Sequence, residues 1–359
     1  SITLIGIRLI ANIILSFRRK KMKFLLYPLS IVYNLITTLR NLLFDIGLIN
    51  SVQYKIPTIG VGNLSTGGTG KSMLVDYLIE LLKIEYSLTT LSRGYNRDTS
   101  GFIQATSKSS AYEIGDEPYQ FYSKHPEISV VVCEDRRKGM KLILNNLPNT
   151  QISIWDDIFQ HRYVKPGLML LTTTFKYPYY KDEILPVGNL RENKNSSKRA
   201  DLIIITKCPD DLSNKDKLDF IEKLNPDENQ KVFFSTISYK KRLKSDDLAI
   251  HMDDLKEEEF ILVTGIADSS YLVKYLENKN LKFKHLKYSD HYNFKKSSID
   301  KILSVSKNKK IITTEKDFGR LKLKINRGEI YYLEVSIEFP DNLNPTSFDE
   351  VVNEFVENY

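Results

Sequence analysis

A glycine-rich stretch ending in Gly70-Lys71-Ser72 has the residue types that bind a nucleotide phosphate. Backbone N–H groups of such a loop converge on an anion, the lysine reaches the β- and γ-phosphates, and the hydroxyl is a ligand for Mg²⁺. An ordinary glycine-rich turn is the alternative, because Ser65 stands where the strict pattern has glycine. The predicted nucleotide-binding residues are Gly62, Asn63, Leu64, Ser65, Thr66, Gly67, Gly68, Thr69, Gly70, Lys71 and Ser72.

Two carboxylates, Asp156 and Asp157, follow directly on an apolar run at 152–155. In a phosphate-binding protein, a carboxylate that supports Mg²⁺ lies at the carboxyl end of a parallel strand. We expect the two side chains to point to opposite sides, so that one serves the metal and the other orients its neighbours. A merely polar strand end is the alternative.

Three further groups have side chains suited to catalysis or phosphate binding. Asp116 and Glu117 lie in a turn bounded by glycine and proline, and Asp290-His291 follows a predicted strand. Arg191 and Glu192 come after a glycine-containing turn, where an arginine can clamp phosphate or pair with its neighbour. Capping and turn formation are the structural alternatives for these groups.

The elements that must position these residues alternate between short apolar runs and helical patterns, which predicts a largely parallel sheet covered by helices. A strand before the glycine-rich loop and a helix after it give that loop the context it needs. Residues 207–230 are expected to be loop or helix, and a strand pair is expected around 232–247. The other predicted strands are 87–91, 129–133, 152–155, 168–172, 202–206, 260–267, 282–288, 310–317 and 330–339, with helices near 269–280 and 296–307.

The predicted fold class is therefore α/β, with a P-loop NTPase-type parallel-sheet domain and a second, smaller α/β domain. At 359 residues the chain has room for about two domains. The predicted divisions are an apolar helical segment at 1–49, a P-loop domain at 50–230, a smaller α/β domain with a strand-pair linker at 231–345, and a C-terminal helix at 346–359.

The composition fits a globular protein that meets anionic groups. Lys and Arg number 52 against 45 Asp and Glu, so the net charge is +7. This modest excess suits an anionic substrate or a membrane surface and gives little support for nucleic-acid binding. Cys133 and Cys208 lie in or beside apolar runs, which favours core packing in a reducing compartment.

The segment 24–49 predicts a helix with a narrow polar stripe and a broad apolar face. Such a helix can lie in a bilayer interface, with Lys21, Lys23 and Arg40 near anionic headgroups. Packing of the apolar face on the protein's own core is the alternative. Two interpretations of residues 1–21 stay open: a translated extension, or upstream sequence before a start at Met22. The stripe consists of Asn34, Thr37, Thr38, Asn41 and Asp45.

Taken together in chain order, these motifs resemble the tetraacyldisaccharide 4′-kinase family of lipid A synthesis. The resemblance runs from about Met22 to the C-terminus. The motifs that carry it are GNxxxGGxGK at 62–71, SRGY at 92–95, GDEP at 115–118, DDxFQHR at 156–162, LPxGNLRE at 185–192, DH at 290–291 and TTEKD at 313–317.

The resemblance implies a Mg²⁺-dependent enzyme of a Gram-negative bacterium that transfers the γ-phosphoryl group of ATP to the 4′-hydroxyl of a lipid A disaccharide-1-phosphate. It implies a peripheral or monotopic position on the cytoplasmic face of the inner membrane, and it favours the membrane interpretation of the segment 24–49. We expect a monomer with the lipid substrate and the membrane surface as partners, and no nucleic acid.

Site residues follow from the same motif matches. Asp116 resembles the catalytic aspartate, which acts with His291, and Lys71 and Ser72 resemble the pair that binds phosphate and magnesium. Asp156 and Asp157 resemble the metal-site carboxylates. The residues expected to line the substrate cleft are Tyr95, Glu117, Arg137, Gln160, His161, Arg191 and Glu192. The departures from the family pattern are Met73, Trp155 and Ile158, of which Ile158 puts the metal site in doubt.

Other classes of nucleotide-binding protein fit the sequence less well. A switch ATPase of the deviant P-loop type needs a lysine where Thr66 stands, and a GTPase needs a guanine-reading aspartate where Pro209 stands. A cytosolic small-molecule kinase or ligase remains possible on motifs alone, but the apolar segment 24–49 argues against it.

Overall fold

The computed structural model describes residues 2–245, 248–266, 268–290, 292–307, 309–325, 330–340 and 343–359, with side chains from residue 24 onward. Within these residues the strands are β1 Thr58–Asn63, β2 Leu88–Ser92, β3 Ile103–Gln104, β4 Ser129–Val132, β5 Ile152–Asp156, β6 Leu168–Thr174, β7 Leu202–Cys208, β8 Lys231–Lys244, β9 Ala249–His251, β10 Phe260–Thr264, β11 Phe283–Lys287, β12 Ile311–Thr314 and β13 Ile330–Glu338.

The helices of the same residues surround these strands. They are α1 Ile2–Asp45, α2 Lys71–Leu82, α3 Ala111–Ile114, α4 Asp116–Lys124, α5 Arg136–Asn146, α6 Asn214–Leu224, α7 Ser270–Asn278, α8 Lys296–Ser306, α9 Glu315–Leu321 and α10 Phe348–Glu357. Short 3₁₀ turns occur at Tyr179–Lys181, Lys194–Arg199 and Met252–Leu255.

One mixed sheet runs through the molecule in the order β11-β10-β12-β13-β8-β7-β6-β1-β5-β2-β4-β3. Most neighbouring pairs are parallel, and the antiparallel pairs are β13 with β8, β3 with β4 and β8 with β9. The predicted α/β class with a largely parallel sheet is therefore confirmed. The two halves meet where β8 pairs with β13, so the smaller unit continues the sheet of the first one.

Along each central strand, successive apolar side chains point to opposite faces of the sheet, and both faces are buried. On β7, Leu202 and Ile204 pack into one buried cluster and Ile203 and Ile205 into another. Strands covered on both faces read as continuous apolar runs, which is why the sequence located them well. Cys133 and Cys208 are buried and form no disulfide, as core packing predicts.

The second half has buried clusters of its own. Phe260 and Leu262 face one cluster, while Ile261 and Val263 face another, and both clusters are built mainly from residues after 239. A separate core of this kind is typical of a domain. The predicted boundaries at 50, 231 and 346 stay predictions.

Three predicted strand regions differ from the structure. The strand predicted at 260–267 ends at Thr264. The expected strand pair at 232–247 is one long strand, β8, whose short partner β9 begins only at Ala249. The expected strand 310–317 ends at Thr314, because the Thr314 hydroxyl accepts a hydrogen bond from the Asp317 amide and starts α9. Thr-x-x-Asp is a capping pattern that outweighs the strand tendency of the preceding residues.

Helix α1 contacts the protein through its polar stripe, so the alternative that its apolar face packs on the core is wrong. From the stripe, Asn41 Nδ2 donates to Glu192 Oε2 at 2.6 Å, and Asp45 Oδ1 accepts from Arg162. One turn before the stripe, the Ser30 hydroxyl donates to the Ile184 carbonyl. The apolar face lies outward. Its exposed residues include Phe24, Leu25, Leu29, Ile31, Val32, Leu35, Ile36, Leu39 and Leu42, and Ile46 and Leu48 are exposed just after the helix ends at Asp45.

The basic residues of this segment need one correction. Arg40 is half-buried and donates to the Gln160 carbonyl, so it faces the protein and not a headgroup layer. Lys21 and Lys23 lie outside the described side chains. Within the residues described, no helix has both the length and the hydropathy needed to cross a bilayer.

Candidate active site

The glycine-rich residues 62–72, called the P-loop here, connect β1 to α2 as the sequence predicts. Gly70 has a φ of 88° at the start of α2, in the left-handed region that favours glycine. A side chain at Gly62 would place its Cβ 2.6 Å from that of Phe159. Inside the loop, Asn63 Nδ2 donates to the Ser65 carbonyl at 2.7 Å and to the Thr69 hydroxyl at 2.8 Å.

Asp156 lies beside the start of the P-loop because β5 pairs with β1, which sets Asp156 opposite Val61. Its carboxylate is buried, and its Oδ1 has no hydrogen-bond partner. Burial raises the pKa of Asp156, and the negative charge of Glu117 raises it further. Such a carboxylate is stabilised as an anion when a cation lies next to it.

The Ser72 hydroxyl donates to Glu117 Oε1 at 2.8 Å, so Glu117 belongs to the same group as Asp156. The oxygen atoms of Ser72, Glu117 and Asp156 are the hard donors that Mg²⁺ prefers. Among the described residues, no three or more His, Cys, Asp or Glu are arranged to hold a metal by themselves. Mg²⁺ sites commonly use one or two carboxylates and complete the shell with water and phosphate.

Asp157 faces different partners from Asp156. Lys71 Nζ lies 3.4 Å from its Oδ1, and Arg191 donates to both of its oxygens at 3.0 Å. Burial alone would raise the pKa of Asp157, but the charges of Lys71 and Arg191 outweigh burial and lower it. Asp157 therefore pairs with two cations of the protein, and its predicted role as a metal-site carboxylate stays a prediction.

A buried hydrogen-bond network around Glu192 and Gln160 lies next to the P-loop and Asp157. Glu192 is only 2% exposed and accepts hydrogen bonds from Gln160, Arg199 and Asn41. Gln160 also donates to the Asn63 carbonyl at 2.9 Å. The network thereby links α1 to the first residues of the P-loop, while the predicted cleft roles of Gln160 and Glu192 stay predictions.

His161 lies in a positively charged environment. Burial lowers its pKa to about 4, together with the charges of Arg136, Arg93 and Arg40. The imidazole is therefore neutral near pH 7. Arg136 is itself buried and donates to the Asp156 carbonyl, which places a positive charge behind the carboxylates.

Asp116 is the first residue of α4, and Arg320 of α9 binds its carboxylate with two nitrogens. The Nε–Oδ1 distance is 3.1 Å. Arg320 also donates to the Tyr292 carbonyl at 3.3 Å. His291 lies outside the described residues, so the predicted pairing of Asp116 with His291 stays a prediction.

The predicted cleft roles of Tyr95 and Arg137 stay predictions. Tyr95 is 66% exposed, and its backbone packs on Gly115, just before Asp116. The Arg137 guanidinium lies 4.7 Å from the centre of the Tyr163 ring, and that ring contacts Phe44 at the base of α1.

A cavity of about 190 Å³ opens beside Ser72 between the two halves. Met73 and Glu117 line it from the first half, and Tyr271 and Thr314 from the second half. The Asp116–Arg320 ion pair bridges the halves in the same way. The sequence analysis missed Arg320, although its position in the helix after TTEKD is a signal that could have found it.

Comparison with known proteins agrees with this geometry. The family model described as "Tetraacyldisaccharide-1-P 4'-kinase" matches residues 22–356. This chain belongs to the tetraacyldisaccharide 4′-kinase family. The tetraacyldisaccharide 4′-kinase of Flavobacterium psychrophilum is 42% identical over 335 residues, which are 92% of this chain and 96% of the relative. That of Bacteroides thetaiotaomicron is 37% identical, over 88% and 89% of the two chains.

A solved structure of this family is also similar. It is described as the "apo" form of LpxK from Aquifex aeolicus in complex with ATP. The TM-score is 0.76 at 30% identity, and the match covers 94% of this chain and 99% of that one. The resemblance to the tetraacyldisaccharide 4′-kinase family is thus confirmed by overall sequence and by fold, and with it the prediction of a kinase.

Proposed function

We propose that this chain is an ATP-dependent kinase that phosphorylates the 4′-hydroxyl of a lipid A disaccharide-1-phosphate. One observation carries the proposal: the Ser72 hydroxyl and the carboxylates of Glu117 and Asp156 converge at the start of the P-loop helix. A helix N-terminus favours an anion, and the adjacent oxygens favour the cation that accompanies a triphosphate.

The residues of the site have separate proposed roles in phosphoryl transfer. Lys71 and Arg191, both held by Asp157, supply positive charge to the transferring group. Catalysis of this reaction depends mainly on positioning and on electrostatic stabilisation, because the transition state is loose. We propose that Ser72, Asp156 and Glu117 hold Mg²⁺. When bound, Mg²⁺ neutralises charge on the phosphate oxygens.

Asp116 is the proposed acceptor of the proton that the sugar hydroxyl loses. It is the first residue of α4, next to Glu117, which lines the cavity, and Arg320 of the opposite half binds its carboxylate. Tyr292, the neighbour of His291, shares Arg320 with Asp116, which supports a joint role for Asp116 and His291. General bases of this kind contribute about 10²–10⁴-fold to rate.

The outward apolar face of α1 is the proposed contact with the inner membrane, on its cytoplasmic side. Eleven large apolar side chains are exposed between Phe24 and Leu48, whereas the polar side of the helix is used by the protein. An exposed patch of this size is typical of a membrane or protein contact. The proposed oligomeric state is a monomer.

A radiolabel-transfer assay tests the proposed activity. The wild-type protein, with γ-labelled ATP and Mg²⁺, should label a lipid A disaccharide-1-phosphate in detergent micelles. Lys71→Ala should lose most of this transfer, because removal of a phosphate clamp costs several kcal/mol of transition-state stabilisation, on the order of 3 kcal/mol. Lys215→Ala, on the exposed surface of α6, is the matched control. Near wild-type transfer by Lys71→Ala would refute the proposed site.

A further inference from the structure

The end of β7 has an irregular backbone directly under the P-loop. The register between β7 and β8 shifts between Ile205 and Cys208, and Lys207 inside the shift has a φ of 58°. The left-handed conformation is unfavourable for a residue with a side chain. Irregularities of this kind redirect a side chain and are common next to active sites.

The redirected side chain holds the P-loop. Lys207 Nζ donates to the Gly68 carbonyl at 2.8 Å, and the preceding Thr206 donates its hydroxyl to the Thr69 carbonyl, also at 2.8 Å. The C=O and N–H groups of one planar peptide point in opposite directions. Fixing the Thr69 carbonyl on the Thr206 side therefore turns the Gly70 N–H to the other side of the loop.

Lys207 also contacts the second half of the molecule. Its ammonium lies 6.0 Å from the centre of the Tyr271 ring, and the Tyr271 hydroxyl lies 3.4 Å from the Lys207 carbonyl. Asp268 adds a favourable negative charge from the loop before α7. All three residues line the cavity that begins at Ser72.

We propose that Lys207 is a positioning residue for nucleotide binding, which holds the P-loop at Gly68 and couples it to Tyr271 of the second half. The inference rests on the proposal that the P-loop binds ATP. It goes further because Lys207 acts through the loop backbone and through the opposite half. The proposal implies that the affinity for ATP depends on the contact between Lys207 and Tyr271.

Lys207→Met tests the positioning role, because methionine keeps much of the side-chain length and removes the ammonium. Titration calorimetry with a non-hydrolysable ATP analogue and Mg²⁺ should show about 10- to 100-fold weaker binding, the range for a lost hydrogen bond from a charged donor. The KM for the lipid acceptor should stay unchanged, and Lys207→Arg should recover most of the affinity. Lys215→Met on α6 is the control.

Lys207→Gly separates positioning from stability. Glycine adopts a φ of 58° without strain, so the melting temperature should not fall while the affinity for the ATP analogue does. Unchanged affinity in the Met and Gly variants, with Lys71→Ala still impaired, overturns the inference and leaves the kinase proposal standing. An unimpaired Lys71→Ala would instead refute the nucleotide site itself.

A double-mutant cycle tests the coupling to the second half. Lys207→Met and Tyr271→Leu should each weaken binding of the ATP analogue, and the double variant should be hardly weaker than the poorer single variant. Strictly additive losses overturn the coupling. If Lys207→Met does not fold, Lys207→Gly takes its place in the cycle, since glycine suits the backbone at this position.

Discussion

At the scale of single residues, the site is organised by how each carboxylate is neutralised. Asp157 is paired with Lys71 and Arg191, whereas the buried Asp156 carries an oxygen without a partner. The pKa is lowered for Asp157 and raised for Asp156. Neighbouring aspartates thus take different tasks: one orients cations of the protein and the other is suited to a metal cation.

The Asp116–Arg320 pair yields a prediction about turnover. Asp116→Asn keeps the size of the side chain and removes the proposed base, so kcat should fall about 10²–10⁴-fold. Arg320→Met should lower kcat less, because it disturbs only the orientation of the base. Steady-state kinetics should show little change in the KM for ATP in either variant.

The control for this prediction is Arg320→Lys, which keeps the positive charge but loses the bidentate contact with the Asp116 carboxylate. An intermediate kcat is expected for it. An Asp116→Asn enzyme with wild-type kcat would show that Asp116 is not the base. A loss confined to the KM for ATP in Arg320→Met would show that Arg320 serves the nucleotide instead.

At the scale of elements, helices α2, α4 and α9 are tied together by buried charges. Lys124 Nζ lies 2.6 Å from Asp76 and 3.8 Å from Glu315, and His125 Nε2 donates a hydrogen bond to Asp76 Oδ1 at 2.7 Å. The P-loop helix, the Asp116 helix and the Arg320 helix therefore share one network. It joins residues of the two halves that line the cavity, among them Asp76 and Glu315.

This network predicts a dependence of stability on pH. Burial, with Asp76 and Glu334 nearby, raises the pKa of Glu315 from 4.5 to about 7 in spite of Lys124. Between these values the folded protein keeps a proton that the unfolded chain has released. The stability that Glu315 contributes is therefore present at low pH and falls as the pH rises through this window.

Glu315→Gln should flatten this part of the pH profile, because glutamine does not ionise. The change from 4.5 to about 7 corresponds to about 3 kcal/mol at most. Urea unfolding at about pH 5 and about pH 8 measures it, with Glu222→Gln on the exposed face of α6 as control. An equal fall in stability for wild type and Glu315→Gln would contradict the assignment.

Helix α1 gives a second prediction at this scale. Leu35→Glu with Leu42→Glu should weaken binding to vesicles of anionic phospholipid by about tenfold or more per leucine, since burial of a leucine is worth about 1.5 kcal/mol or more. Vesicle flotation measures the bound fraction. Leu218→Glu, at an equally exposed leucine on α6, should bind as wild type does. Unchanged flotation of the double variant would mean that the apolar face of α1 meets something other than lipid.

At the scale of the whole molecule, the strand-to-helix order was predictable because buried parallel strands read as apolar runs. The positions of the P-loop and of the carboxylates at the end of β5 were predictable for a related reason. The carboxyl ends of neighbouring parallel strands lie at the same edge of a sheet, so motifs that follow such strands come close together. Lys207 and Arg320 were not found as site residues. The role of Lys207 depends on a backbone irregularity in β7, which local patterns do not encode. Arg320 follows the TTEKD motif, but its pairing with Asp116 depends on the meeting of two halves that are distant in sequence.

The orientation of α1 on the protein was also not predictable from local sequence patterns. Its pattern of one polar stripe and one apolar face was read correctly, but the pattern alone did not say which face meets the protein. Asn41 and Arg40 are bound by groups from residues 160–192, and no signal within the helix itself reveals those partners. The assignment of Arg40 to a headgroup layer was wrong for this reason.

Identification of the phosphorylated product tests the central claim most directly. Wild-type protein, ATP, Mg²⁺ and a lipid A disaccharide-1-phosphate are incubated, and the lipid is analysed by phosphorus–proton correlation NMR. We expect one new phosphate on the 4′-oxygen for each ADP formed, and none with Lys71→Ala. Formation of ADP without a phosphorylated lipid, or a phosphate at another position of the disaccharide, would contradict the account.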